Sequence, residues 1–290
     1  MEQPVHLPSN GKRLFGILHE PAGTPSSVGV VFLNAGPQNR SGPQRIYVHA
    51  ARRFSDAGIT CLRLDLPGVG ESEGPFPENH LDCHDPANVR GAVDLLKQRG
   101  IRSVVLLGLC VGGRVAVRAG LADDRVAGVV SWSAPIISGA PGTIADAISQ
   151  AAARAQIQRW SQRVLQPQRW TRLFTSREAR AEAANKLGRV LQTMVRPARH
   201  DVPKGFAADM RKLVAGTRDF FIAYGERDLG PRAEFEEHVA SLADTGRPDR
   251  RLMLVPGADH TFTALSTRGR VISETLAWLR ERYAVPSTSR

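Results

Sequence analysis

Residues 103–122, SVVLLGLCVGGRVAVRAGLA, carry the reading of the whole chain. Ser103–Leu109 is an apolar run of strand length, and Val111–Ala122 is a helical stretch. Between them stands Cys110, flanked by Gly108, Gly112 and Gly113. A side chain at the apex of a sharp strand-to-helix turn projects above the sheet edge. The flanking positions must be small, because the strained backbone leaves no room for side chains nearby. The N-terminus of the following helix stabilises negative charge at that point. This pattern is a nucleophile elbow with cysteine in the serine position.

Outward from the elbow, strands alternate with helices. Val28–Leu33 is a continuous apolar run, as a strand buried on both faces should be, and it ends at Asn34-Ala35-Gly36-Pro37. Gln44–Ala57 has helical spacing and Ile59–Leu66 is a further buried strand. Asp85-Pro86 offers an N-cap acid followed by proline at the first helical position. Val126–Ser131, Asp219–Tyr224 and Leu252–Val255 read as strands; Arg232–Leu242 and Arg268–Arg282 read as helices. Val5–Leu7 and Arg13–His19 flank Asn10-Gly11, a hairpin signal. The expected fold class is α/β, a doubly wound, mostly parallel sheet with an N-terminal antiparallel hairpin. Residues 138–212 break the rhythm with amphipathic runs that include Trp160 and Trp170, and are expected to form a helical cap inserted into a core of 1–137 and 213–290.

Composition narrows the classes. The chain has 290 residues, 42% hydrophobic, enough for one sizeable core. No apolar run approaches the roughly 20 residues a membrane-spanning helix needs, and the first fifteen residues lack a secretory pattern. The three cysteines are too few and too odd in number for a disulfide framework. A reducing, cytoplasmic setting is expected. The net charge is +11, and 34 of the 39 basic residues are arginine. No zinc spacing, basic heptad or aromatic-rich sheet motif accompanies that charge, so no nucleic-acid partner is expected. The segment 138–212 holds 14 basic against five acidic residues, which suits an acidic carrier protein or a substrate bearing phosphopantetheine.

A thiol nucleophile needs a base, and the base needs an orienting carboxylate. His260 follows the last strand and Asp228 the strand before it, with Glu226 as the alternative acid and Asp259 suited to fixing its loop. The string Gly70-Glu71-Ser72-Glu73-Gly74 matches a serine elbow literally, but Pro75 and Pro77 prevent a helix from starting there, so Ser72 reads as a loop residue. Cys61 lies mid-strand and reads as core. Cys83, between His80 and Asp85, has no second cluster with which to complete a metal site, so no metal or cofactor is expected.

Taken together these residues resemble the α/β-hydrolase superfamily over almost the whole chain. The matching features are the Asn10-Gly11 hairpin, Asn34-Ala35-Gly36, the run Asp65–Ser72, the Cys110 elbow, Gly225 with Asp228, and Asp259-His260-Thr261-Phe262. Where the family usually has His-Gly after the third strand, this chain has Asn34-Ala35. The cysteine elbow is similar to those of dienelactone hydrolases and polyhydroxyalkanoate synthases. The resemblance implies a Cys110–His260–Asp228 triad, with an oxyanion hole from the Val111 N–H and that of Gly36 or Ala35. It implies an acyl hydrolase acting on a small-molecule ester, lactone or thioester. The alternatives are an acyltransferase fed by a coenzyme A or carrier-protein thioester, and a non-catalytic binding protein. Asn34, Arg40, Arg45, Trp160 and Trp170 are the candidate substrate contacts.

Overall fold

The computed structural model describes residues 1–76, 85–136, 205–240 and 246–285. The hairpin is β1 (Glu2–Ser9) and β2 (Lys12–His19), paired antiparallel in full register from Glu2 opposite His19 to Ser9 opposite Lys12. Asn10 and Gly11 both take positive φ, 47° and 75°, the geometry a two-residue turn needs to match strand twist. Then follow β3 (Val28–Leu33), α1 (Ile46–Asp56), β4 (Thr60–Leu64), α2 (Arg90–Gln98), β5 (Ser103–Leu109), α3 (Val111–Ala122) and β6 (Val126–Trp132). After residue 204 come α4 (Phe206–Ala215), β7 (Asp219–Gly225), α5 (Leu229–His238), β8 (Arg250–Val255) and α6 (Leu265–Tyr283).

The eight strands form one sheet in the order β1-β2-β4-β3-β5-β6-β7-β8. β2 joins β4 antiparallel and every later pair is parallel. A parallel sheet must be covered on both faces, and two cores do this. Leu106, Val129 and Phe220 pack under Ala92 and Leu96 of α2, Val115 of α3 and Phe206 of α4. Phe32, Trp132 and Phe221 pack under Phe54 of α1 and Trp278 of α6. All six side chains of β3 are buried, which is why its sequence does not alternate.

Several boundaries differ from the sequence expectation, each for a local reason. The strand expected to Leu66 stops at Leu64, because the Leu66 N–H donates to the Asn34 side chain (2.5 Å) instead of to the ladder. The helix expected from Gln44 starts at Ile46, since Gln44 and Arg45 sit in left-handed backbone, φ 46° and 60°. A short 3-10 turn, Pro86–Val89, precedes α2, and Asp85 caps it by accepting from the Ala87 N–H (2.8 Å). The expected cap, with Trp160 and Trp170, lies outside the described residues except for its last stretch. There Phe206–Lys212 belong to α4, whose apolar face joins the sheet core and which continues past the expected 212/213 boundary. Arg114 of α3 touches both stems of this excursion. It donates to the Pro135 carbonyl (2.7 Å) and lies 4.2 Å over the Phe206 ring.

His19, the last residue of β2, is 1% exposed and accepts a hydrogen bond from Arg63 Nε (2.8 Å). Burial, and then the Arg63 charge, push His19 down to about 4. An unfolded histidine titrates near ~6.5. As pH falls from 6.5 toward 4, the unfolded chain therefore takes up a proton that the folded chain refuses. Urea unfolding of the wild type should lose up to about 1.4 kcal/mol per pH unit across that window relative to His19→Gln, whose amide oxygen still accepts from Arg63. Parallel pH profiles for the two proteins would contradict this.

Candidate active site

The elbow is built by sterics. Cys110 has φ 56° and ψ −120°, a conformation that costs a cysteine about 1–3 kcal/mol and persists only when the surroundings impose it. They do. A Cβ on Gly108 would stand 2.0 Å from the Gly112 carbonyl carbon, and one on Gly112 would stand 2.3 Å from the Leu33 carbonyl oxygen. Missing side chains thus let α3 press against the end of β5 and the exit of β3. The Cys110 N–H donates to the Trp132 carbonyl (2.8 Å), tying the apex to β6. Tyr47 of α1 completes the frame. Its buried hydroxyl donates to the Leu33 carbonyl (2.8 Å) and accepts from the Leu109 N–H (2.7 Å), filling the gap where β3 and β5 part. Sequence reading missed Tyr47, because it stands among the apolar positions of an ordinary amphipathic helix.

The acid and histidine loops are zipped together. A Cβ on Gly225 would come within 2.6 Å of the Ala258 and Asp259 carbonyls. The Arg227 N–H donates to the Ala258 carbonyl (2.8 Å), and the Gly257 N–H donates to Glu226 Oε2 (2.7 Å). Glu226, the alternative acid, is therefore engaged in holding the loops. Asp228 stands at the N-cap of α5 yet makes no cap hydrogen bond with its side chain. Its carboxylate turns instead to His260, with 2.9 Å between Asp228 Oδ2 and His260 Nδ1. Asp259 accepts from the Thr263 N–H (2.9 Å) and fixes the loop, as its sequence position suggested.

With Nδ1 engaged, the ring's other edge is left free to face a sulfur. Burial works against a charged ring, but the nearby Cys110 sulfur and the Asp228 carboxylate outweigh it, holding His260 well above the usual imidazole range. The structure thus hydrogen-bonds His260 to Asp228 and sets Cys110 near the same ring. The close approach of Gly112 to the Leu33 and Asn34 carbonyls sets the loop after β3 against the start of α3, and the N–H groups of Val111, Ala35 and Gly36 donate to no acceptor among the described residues.

Two expected substrate contacts are spent in the framework. Asn34 is 1% exposed; it accepts from the Leu66 N–H and donates to the Gln38 carbonyl (2.9 Å). Arg40 pairs with the fully buried Asp65 (2.5 Å) and with Glu71 (2.6 Å), over the Phe15 ring. Asp65 in turn accepts from the Arg40 N–H (2.6 Å), so the loop after β3 and the loop after β4 share one carboxylate. Arg45 remains exposed, while Trp160 and Trp170 fall outside the described residues. Ser72 bridges loop and hairpin, donating to the Asp65 carbonyl (2.6 Å) and accepting from the Phe15 N–H (2.8 Å). Cys61 is fully buried in β4, and Cys83 is outside the described residues. Among the described residues no three His, Cys, Asp or Glu side chains converge as a metal site, and no helix is long and apolar enough to cross a membrane.

The model of the "Alpha/beta hydrolase family" matches residues 30–274. A 91-residue stretch is 37% identical to the polyketide transferase grgF of a Penicillium species; it spans 30% of this chain and 30% of that protein. The crystal structure of the alpha/beta hydrolase GrgF from Penicillium sp. sh18 superposes with a TM-score of 0.63 at 18% identity, covering 98% of this chain and 99% of that one. A dienelactone hydrolase from Anabaena variabilis superposes at 0.59 and 17% identity, covering 98% of each chain. A Pyrococcus furiosus esterase does so at 0.63 and 16%, covering 98% of this chain and 91% of that one. At these identities the superpositions speak to the fold alone.

A positively charged ring beside a cysteine sulfur speeds its alkylation. Peptide-resolved mass spectrometry should find iodoacetamide on Cys110 at pH 6 at least about ten-fold faster than on the His260→Gln variant. Equal rates would break the pairing.

Proposed function

The chain belongs to the alpha/beta hydrolase family, and from that premise we propose that it is a cysteine-dependent acyl hydrolase working through Cys110, His260 and Asp228. The observation that carries this reading is the Asp228 carboxylate hydrogen-bonded to the His260 ring, with Cys110 nearby at the apex of the strained strand-to-helix turn. A buried carboxylate on Nδ1 fixes the ring's tautomer and steadies its positive charge. The N-terminus of α3 favours negative charge on the sulfur.

The steps follow from these positions. The Cys110 sulfur, as the thiolate of an ion pair with His260, attacks the acyl carbon. The carbonyl electrons move to oxygen, and the N–H groups of Val111 and of Gly36 or Ala35 receive that charge; one such donor is worth about 3 kcal/mol. Pro37 has no N–H to offer. The intermediate collapses, the bond to the leaving alcohol or thiol breaks, and His260 supplies its proton to that group. A water then loses a proton to His260 and attacks the acyl-enzyme. The product acid leaves as Cys110 regains its thiolate and His260 its charge.

Transfer to an acceptor other than water is the second reading, and the 91-residue similarity to a polyketide transferase favours keeping it. An acyl-enzyme on cysteine is a thioester, so exchange with a thioester donor is nearly balanced while aminolysis runs downhill. The two readings share every residue and differ only in what attacks last. A binding protein without catalysis would not need the three side chains together.

Intact-mass spectrometry after mixing with a panel of acyl thioesters and activated esters tests the proposal. An acyl adduct on the wild type, absent from Cys110→Ala, is expected. Its decay in buffer alone indicates hydrolysis, and decay accelerated by amines or alcohols indicates transfer. No adduct with any donor, on a chain whose Cys110 still alkylates, overturns the proposal.

A further inference from the structure

A group of basic side chains stands at the rim of the sheet, between the loop that leaves β3 and the loop that carries His260. Arg45 immediately precedes α1, His49 lies one turn further along the same helix face, and Arg268 lies in the first turn of α6. Arg268 Nη1 donates to the Gln44 carbonyl (2.6 Å), which fastens α6 to the turn before α1. Gln44 and Arg45 both hold left-handed backbone, which favours glycine. That turn sets Arg45 outward. The side chains of Arg45 and His49 are exposed and make no hydrogen bond or ion pair among the described residues.

Among the described residues no carboxylate pairs with Arg45, His49 or Arg268. The charges that act on His49 are those of Arg268, Arg45 and Arg52, and together with partial burial, the largest influence, they hold its ring below the usual imidazole range. Of these, only Arg52 has an acid of its own, Glu2 at 2.6 Å. The N-terminus of α6 adds its dipole: Ala264 supplies no side-chain cap, and the first turn holds no acidic residue. Helix α1 links the patch to the elbow. Two residues beyond Arg45, the Tyr47 hydroxyl receives the N–H of Leu109, the neighbour of Cys110.

We propose that Arg45, His49 and Arg268 form a phosphate-binding site for the thiol half of a thioester donor whose acyl group is passed to Cys110. The proposal rests on the thioester reading of Cys110 above. A phosphate fits because a guanidinium fork meets its oxygens in pairs. The phosphate of an acyl-phosphopantetheine arm, free or within coenzyme A, sits at the far end from the reacting sulfur. It therefore belongs at the rim rather than over the oxyanion hole.

Calorimetry with the Cys110→Ala chain, which cannot be acylated, separates binding from chemistry. The probes are three thioethers with one S-alkyl group, made on pantetheine, on 4′-phosphopantetheine and on coenzyme A. At low salt the phosphopantetheine ether should bind at least ten-fold more tightly than the pantetheine ether, with the gap shrinking as salt rises. Arg45→Gln, at a side chain with no hydrogen bond or ion pair among the described residues, should close most of that gap, and Arg45→Gln with Arg268→Gln should close it completely. A further gain with coenzyme A assigns the nucleotide phosphates to the patch as well; equal binding of the two phosphate-bearing probes assigns the pantetheine phosphate alone. Equal affinity for all three probes, or a gap that survives Arg45→Gln unchanged, overturns the site. Failure here with a normal acyl adduct on the wild type leaves the Cys110 chemistry standing. A phosphate-dependent gap without any adduct overturns the assignment to a thioester donor.

Discussion

The close approach of α3 to the ends of β3 and β5 is the constraint on which the site depends. At Gly108 and Gly112 the backbones come so near that a single added carbon would overlap a main-chain atom. This contact forces Cys110 into positive φ and presents its sulfur at the rim. It also brings the loop after β3 against the start of α3. The strain at Cys110 is offset by the burial of β5, whose residues from Val104 to Leu109 are all inaccessible to water. A sheet core thus holds a strained residue that a loop could not.

Around that contact the polar groups divide into frame and site. Asp65, Asn34, Ser72 and Arg40 bond to one another and to nearby backbone, so the loops after β3 and β4 behave as one body. A buried carboxylate is costly unless its oxygens are satisfied. Asp65 meets that condition with Arg40 and three further donors, from Arg40 backbone, Asn34 and Glu71. On the opposite side, Glu226 and Asp259 hold the loops that follow β7 and β8. Asp228 alone among these acids faces a titrating partner. The same residue type serves both purposes, and what separates them is whether the carboxylate meets backbone N–H groups or an imidazole.

The charge pattern of the chain gains a local meaning in this light. Most arginines of the described residues are paired with acids or hydrogen-bonded to carbonyls, as Arg40, Arg125 and Arg247 illustrate. Excess charge by itself therefore says little about a partner. Arg45 differs because the strained turn before α1 sets it near Arg268 of α6, where no acid among the described residues answers either charge.

The amino-acid sequence by itself determined the order and type of the described elements, the hairpin, and the strand-to-helix elbow with Cys110 at its apex. These are local matters: apolar runs, a positive-φ Asn-Gly pair, and glycines where side chains cannot fit. It also pointed to Asp228 and His260, because each follows its own strand and parallel strands deliver their exits to one edge. Sequence could not separate Arg40 from Arg45, or see that Asn34 faces inward, since both depend on which loop a side chain meets after folding. Tyr47 belongs to the same class; its hydroxyl matters only because β3 and β5 part at that height. Tertiary structure alone decided these roles, because hydrogen-bond partners separated by tens of residues are chosen by packing and leave no periodicity in the chain.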